Sequence, residues 1–403
     1  MKYGLIGGRL AHSHSPAIHN MLSEYEYTLY PLTPDKLPEF LLNREIGGLN
    51  VTIPYKVEVM KYCAALTGEA QRIGSVNTLI YDKNRRIIGH NTDYDGFFHL
   101  VQRAGLTLAD QKVVILGSGG TSRTAYVAAQ DAGAREIVVV SRQGECNYQN
   151  IIEHADADIL VNTTPVGMYP ELLGYPVSLD LFENLKGVLD VVYNPLRTRL
   201  ILAARERGIK AEGGLPMLVA QAHAASEQFS QRHIPRERIE EITVFLMKEL
   251  SNIVLVGMPG AGKTEIGKKL AAHTGRAFWD TDAVVEREAG MSIPSIFDLE
   301  GEAGFRAREE AAIAEASREG GRIIATGGGA PMFKDNRTLL KQNGHIVYIE
   351  RALGLLPTNG RPLSKNLTAM YEKRVPVYRS FADTVVENSG TVADAVAAIL
   401  QSF

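Results

Sequence analysis

Residues 112–125 read KVVILGSGGTSRTA. An apolar run ends at Gly117, Gly119 and Gly120, and a helical pattern follows from Thr121 to Ala132. This is how a buried strand turns into the helix of an α/β unit. Further apolar runs follow: IVVVSR (137–142), DILVNTTP (158–165) and GVLDVVY (187–193), then a short step to Glu212. Helical stretches such as Arg199 to Glu206 separate them, and this interleaving predicts a parallel sheet wound on both faces. The same opening occurs twice more, as KYGLIGG at the start and as SNIVLVGMPGAGK at 251–263. From Gln221 to Leu250 the periodicity is helical, broken by Pro235, so one fold closes there before another opens. The second fold continues through strands at 277–281, 322–329 and 345–350 and ends in an amphipathic helix at 392–400.

The chain of 403 residues has room for about two to four domains. Apolar residues make up 45% and charged residues 22%, which excludes a disordered or fibrous chain. A net charge of −3 without long blocks of one sign argues against nucleic acid or anionic membrane as partner, leaving small molecules as the expected ligands. No run reaches the roughly 18 apolar residues of a membrane span, and no signal-peptide pattern opens the chain. A cytoplasmic protein is expected. Cys63 and Cys146 are too few for a disulfide framework and read as free thiols.

At Gly117, Gly119 and Gly120 the backbone can approach a pyrophosphate, whose charge suits the free amides of the following helix. Ser122 replaces the third glycine of the usual fingerprint, so a plain strand-to-helix turn also fits these residues. The next strand ends in Ser141-Arg142, where NAD sites carry an acidic residue. A guanidinium there suits a 2′-phosphate and favours NADP, while Glu145 nearby opposes it. At 257–264, GMPGAGKT is a complete P-loop between a strand and a helix. Gly260 and Gly262 let amides wrap phosphates, Lys263 reaches the β- and γ-phosphates of ATP, and the Thr264 hydroxyl ligates Mg²⁺.

The N-terminal region carries polar clusters: HSHSPAIHN (12–20), GLNVTIPYK (48–56), GSVNTL (74–79) and GHNTDYDGF (89–97). Singly, each reads as turns, caps and surface polarity. His12, His14 and His19 lack a carboxylate or cysteine at metal-ligand spacing. Together with LGSGGTSRTA, VNTTPVGM and GGLPMLVAQA, the series resembles shikimate dehydrogenase over residues 1–245. The resemblance implies that Ser13 and Ser15 hold the substrate carboxylate and that Thr52, Asn77 and Gln221 bond its ring hydroxyls. It also implies a catalytic pair of Lys56 and Asp93. Hydride reaching a ketone carbon leaves charge on oxygen, which a nearby proton donor or fixed cation must meet. Thr163, Tyr193, Gly214 and Met217 match positions around the cofactor and the ring. Between Ser141 and Asp158 this chain is short and lacks the second basic residue often found near the adenosine phosphate.

After the P-loop come FWDTDAVVE (278–286), GEAGFRARE (301–309), ATGGGA (325–330), RPL (361–363) and YEKRVPVY (371–378). This order resembles shikimate kinase from Ser251 to Phe403. By that resemblance Asp282 meets the acceptor hydroxyl as base or orienter, and Asp280 helps hold Mg²⁺. Arg306 and Arg374 clamp the substrate carboxylate, Gly328 and Gly329 let the backbone approach the ring, and Arg361 comes down with a lid onto the nucleotide. The lid stretch 355–364 is shorter than usual and lacks an arginine commonly found before Arg361.

The expected architecture is α/β throughout. It comprises a substrate domain (1–98 and 216–248), a Rossmann-like NADP domain (99–215) and a P-loop nucleotide-kinase-like domain with a parallel sheet (249–403). The expected function is bifunctional: NADPH-dependent reduction of 3-dehydroshikimate to shikimate, then ATP- and Mg²⁺-dependent formation of shikimate 3-phosphate. The altered lid motivates an alternative, an active dehydrogenase with a weakly active or ligand-sensing kinase domain. Quinate is a possible second dehydrogenase substrate. Retention of Lys56, Asp93, Lys263 and Asp282 speaks against a pure regulator.

Overall fold

The structure is a computed structural model that describes residues 1–403 except 9, 11, 12, 44 and 357–366. By its contacts the chain forms two compact units. Unit 1 comprises Met1–Val166, Tyr175–Tyr193 and Ala203–Phe245, and unit 2 comprises Gly167–Gly174, Asn194–Leu202 and Leu246–Phe403.

Unit 1 holds two sheets among its described residues. The first contains β1 (Lys2–Gly7), β2 (Tyr27–Pro31), β3 (Ile46–Val51), β4 (Ala65–Leu66), β5 (Thr78–Tyr81) and β6 (Ile87–His90), in the order β2-β1-β3-β5-β6-β4. It is mixed, because β5 runs antiparallel to both β3 and β6. The second contains β7 (Lys112–Leu116), β8 (Glu136–Val140), β9 (Ile159–Asn162), β10 (Gly187–Asp190) and β11 (Lys210–Glu212), in the order β11-β10-β9-β7-β8 with every pairing parallel. All residues of β7, β9 and β10 are buried, as a central strand covered on both faces requires.

The helical stretch expected over 221–250 is two helices, Leu215–Ser230 and Glu237–Leu250. The first ends at Gln231, whose φ of +54° places it in the left-handed region, ahead of Pro235. Helix Leu215–Ser230 packs against helix Asp93–Arg103 and against β3 and β5. It therefore brings Met217 and Gln221 to the ends of strands that carry Asn50 and Thr78.

Among its described residues unit 2 has one sheet: β12 (Asn252–Val256), β13 (Ala277–Asp280), β14 (Arg322–Ala325), β15 (Gly344–Glu350) and β16 (Thr384–Glu387), in the order β13-β14-β12-β15-β16, all parallel. Its core is not drawn from the C-terminal stretch alone. Leu172 lies buried with Val254, Val256, Leu340 and Tyr348. The Leu172 carbonyl accepts from Gln342 Nε2 at 2.6 Å, and the Gln342 carbonyl accepts from the Arg197 amide at 3.0 Å. Gln342 is wholly buried, and segments 167–174 and 194–202 supply the partners of its Nε2 and its backbone carbonyl. Among the described residues no helix is long and apolar enough to cross a membrane.

Candidate active sites

In unit 1 the C-terminal ends of the strands open on a cavity of about 1000 Å³. Its lining joins residues far apart in sequence: Ser13, Ser15, Thr52, Lys56, Asn77, Asp93, Tyr193, Gly214, Met217 and Gln221. Lys56 Nζ donates to Asp93 Oδ2 at 2.5 Å, with side chains only 23% and 12% exposed. A half-dry ion pair of this kind sets a proton-bearing cation beside a carboxylate that can steer it.

The other carboxylate oxygen of Asp93 accepts from Asn77 Nδ2 at 3.0 Å, and the same amide reaches Gln221 Oε1 at 3.3 Å. Ser13 and Ser15 meet at 3.1 Å between their hydroxyls, where helix Ser15–Leu22 begins. Two hydroxyls at the positive end of a helix suit an anion. Burial pushes the Tyr193 phenol above its ordinary pKa, so it stays neutral in the wall of the cavity.

The glycine turn follows β7. Gly117 has a φ of +108°, which a side chain would strain, and a Cβ there would lie 2.7 Å from Thr163 Oγ1. Thr163 donates that hydroxyl to the Leu116 carbonyl at 2.6 Å, so it braces the turn. Beyond it, Gly119 and Gly120 face open space at the start of helix Gly120–Asp131, an uncapped N-terminus able to take a phosphate. Ser141 and the exposed Arg142 stand one strand away, at the end of β8, in a turn closed by the Ser141 amide on the Cys146 carbonyl. Of the turn and its helix, only Thr121 lines the cavity.

Unit 2 has a cavity of about 810 Å³ around the P-loop. Gly260, Gly262, Lys263, Thr264, Asp280, Asp282, Arg306, Gly328, Gly329 and Arg374 all line it. Gly262, with a φ of +97°, turns the loop into helix Lys263–Thr274. Lys263 Nζ bonds back to the Gly257 and Met258 carbonyls at 2.9 and 3.1 Å, holding its charge over the loop.

Thr264 Oγ1 donates to Asp280 Oδ2 at 2.8 Å, and Asp280 Oδ1 caps the next helix through the Asp282 and Ala283 amides. A hydroxyl and a carboxylate oxygen so close, at the mouth of a phosphate loop, are hard donors that fit Mg²⁺. Among the described residues no group of three or more His, Cys, Asp or Glu could hold a metal ion. Burial raises the pKa of Asp282, and the Lys263 charge opposes that rise.

Sequence reasoning missed Asn50, which lines the first cavity, and Glu309 and Arg351, which line the second. Glu309 could have been found, since Arg306 and Glu309 are spaced to meet on one helix face. Arg361 lies outside the described residues.

Residues 5–79 match the family model of the shikimate dehydrogenase substrate binding domain, and residues 259–403 match that of shikimate kinase. A shikimate dehydrogenase (NADP(+)) from Clostridium beijerinckii is 38% identical over 245 residues, covering 56% of this chain and 90% of the relative. The chain belongs to the shikimate dehydrogenase family. Among solved structures, the shikimate dehydrogenase half is similar to a chorismate mutase/shikimate 5-dehydrogenase fusion protein from Clostridium acetobutylicum. That likeness has 36% identity and a TM-score of 0.58, over 61% of this chain and 97% of that one. It is also similar to shikimate 5-dehydrogenase from Thermus thermophilus in complex with NADP(H) and shikimate, at 29% identity and a TM-score of 0.56, over 61% and 99% of the two chains. The shikimate kinase domain follows in the same chain.

Proposed function

We infer that this chain is a bifunctional enzyme that reduces 3-dehydroshikimate to shikimate with NADPH and phosphorylates shikimate to shikimate 3-phosphate with ATP and Mg²⁺. The observation that carries the reading is that one chain holds two separate cavities, each furnished for one reaction. One has the Lys56–Asp93 pair beside a dinucleotide turn, and the other has a P-loop facing Asp282 and two arginines.

In the first site, Ser13 and Ser15 take the ring carboxylate, and Thr52, Asn77 and Gln221 hold the hydroxyls. Gly117, Gly119 and Gly120, with Ser141 and Arg142 for a 2′-phosphate, would hold NADPH, which would supply the hydride. Tyr193, Gly214 and Met217 fix the ring against it. As the ketone carbon gains hydrogen, its oxygen takes a proton from Lys56, which Asp93 holds in place.

In the second site, Arg306 and Arg374 hold the carboxylate, with Gly328 and Gly329 beneath the ring. Asp282 accepts the proton of the attacking hydroxyl as the oxygen bonds to phosphorus and ADP leaves. Lys263 steadies the phosphates. Mg²⁺, when bound by Thr264 and Asp280, offsets their charge. The alternative of a merely ligand-sensing kinase domain is not favoured, because its charged residues converge on one cavity. We place the enzyme in the cytoplasm, a setting that the unpaired Cys63 and Cys146 suit.

The test is to assay the halves separately. The purified chain should oxidise NADPH when given 3-dehydroshikimate, and should form ADP when given shikimate, ATP and Mg²⁺. Absence of either reaction would refute that half of the reading.

A further inference from the structure

Beneath the first cavity a run of buried polar side chains leads to Asn77 and Asp93, and the mechanism above gives Tyr27, Asn50 and Thr78 no role. Tyr27 OH donates to Asn50 Oδ1 at 2.8 Å. Asn50 Nδ2 donates to Thr78 Oγ1 at 3.0 Å and to the Asn77 carbonyl at 3.3 Å. Thr78 Oγ1 donates to Asn77 Oδ1 at 3.0 Å, and Asn77 Nδ2 donates to Asp93 Oδ1 at 3.0 Å. Tyr27, Asn50, Thr78 and Asn77 are 6%, 4%, 0% and 2% exposed, so water does not substitute for these bonds.

The direction of the run is fixed by two backbone groups whose roles cannot reverse. The Thr92 amide only donates, and it meets Asn77 Oδ1 at 2.7 Å, which turns the Asn77 amino group toward Asp93. The Asn77 carbonyl only accepts, which turns the Asn50 amino group toward it and leaves Asn50 Oδ1 facing Tyr27. Thr78 then receives from Asn50, and its single proton passes either to Asn77 Oδ1 at 3.0 Å or to Thr92 Oγ1 at 3.2 Å, whose own hydroxyl reaches the same Asn77 oxygen at 3.2 Å. Tyr27 supports the same direction. Burial holds its phenol protonated, and it stacks at 3.9 Å on His19, which burial keeps neutral with a pKa lowered to about 3.

We propose that Tyr27, Asn50, Thr78 and Asn77 form a one-way hydrogen-bond chain that positions the Asp93 carboxylate, and through it Lys56, for the reduction. Bonds aligned in one sense polarise one another, so the last donor holds Asp93 more firmly than an isolated amide would. Tyr27 and Thr78 do not line the cavity and act only through the chain. Both are positioning residues. The proposal rests on the reduction assigned above to Lys56 and Asp93.

The test measures dehydroshikimate reduction by the full chain as wild type, Tyr27→Phe, Thr78→Val and Thr78→Ser. Tyr27→Phe removes one hydroxyl from a buried ring and should lower kcat about 3- to 10-fold, with KM changed less than about twofold. Thr78→Val should cost at least as much, and Thr78→Ser should recover most of the loss. Shikimate phosphorylation by the same samples should stay at its wild-type rate.

Wild-type kcat in Tyr27→Phe with only a lowered melting temperature would overturn the proposal, as would a rise in KM alone or a failure of Thr78→Ser to rescue. If Thr78→Val does not fold, Tyr27→Phe decides. A wild-type chain that does not oxidise NADPH with dehydroshikimate would instead refute the assigned reaction, a result distinct from any of these.

Discussion

Arg306 Nη1 lies 2.7 Å from Glu309 Oε2, less than one helical turn along, and the Glu309 side chain is 1% exposed. Burial raises the pKa of this carboxyl, and the Arg306 charge counters the rise. Arg306 thus has a structural partner as well as a proposed carboxylate ligand. Arg306→Ala should raise the KM for shikimate in the kinase reaction and destabilise unit 2 by about 2 kcal/mol, less than for a wholly buried pair because Arg306 is 22% exposed. Adding Glu309→Gln should restore stability without restoring KM, as read by thermal melting and kinase kinetics. Recovery of both would remove Arg306 from the substrate clamp.

Asp282 should trade stability for activity. Its carboxyl is raised by burial, so the folded chain holds that proton more tightly than the unfolded chain does. The stability it contributes is full below about pH 4, the unfolded value, and is lost as pH rises through the raised folded value. Asp282→Asn should therefore melt higher than wild type at pH 7, with the gain fading as the solution is acidified, while kinase kcat falls at least about 100-fold. Equal melting at both pH values would contradict the strained carboxylate.

The two cavities should be separable by one substitution each. Lys56→Ala should lower dehydroshikimate reduction by about 100-fold or more and leave shikimate phosphorylation intact. Lys263→Ala should do the reverse. Loss of both activities from either change would contradict independent sites.

Unit 2 should depend on segments that precede its P-loop. Leu172 is 4% exposed in its core, so Leu172→Ala should cost about 2–4 kcal/mol and bring heat loss of kinase activity to a lower temperature. A chain beginning at Leu246 should be less stable still, since it also lacks the partners of Gln342. Unchanged kinase inactivation in Leu172→Ala would show that these segments add nothing.

Much of this was legible in the sequence, because glycine turns and apolar runs are local signals. The Gly117 turn, the P-loop and the parallel strands of β7–β11 and β12–β15 stand where the pattern placed them, while the edge strand β16 was not foreseen. The residues named for the two sites also line two cavities, apart from Gly117, Gly119, Gly120, Ser141, Arg142 and Thr163, which do not line the first, and Arg361, which lies outside the described residues. Less visible was anything that depends on pairing at a distance. No local signal marks Tyr27, and only strand pairing, with Thr78 of β5 opposite Asn50 of β3, brings Thr78 to the asparagine that Tyr27 reaches from β2. Leu172 carries no local signal of a core position, because its partners, Val254 and Tyr348, lie far along the chain.

The central claim is that one chain performs both reactions on one ring acid, and a single incubation tests it most directly. Supplying 3-dehydroshikimate, NADPH, ATP and Mg²⁺ together and identifying the products over time should show NADP⁺ and ADP rising, with shikimate 3-phosphate as the end product. Shikimate that accumulates without ADP, or NADPH that is never consumed, would contradict the account.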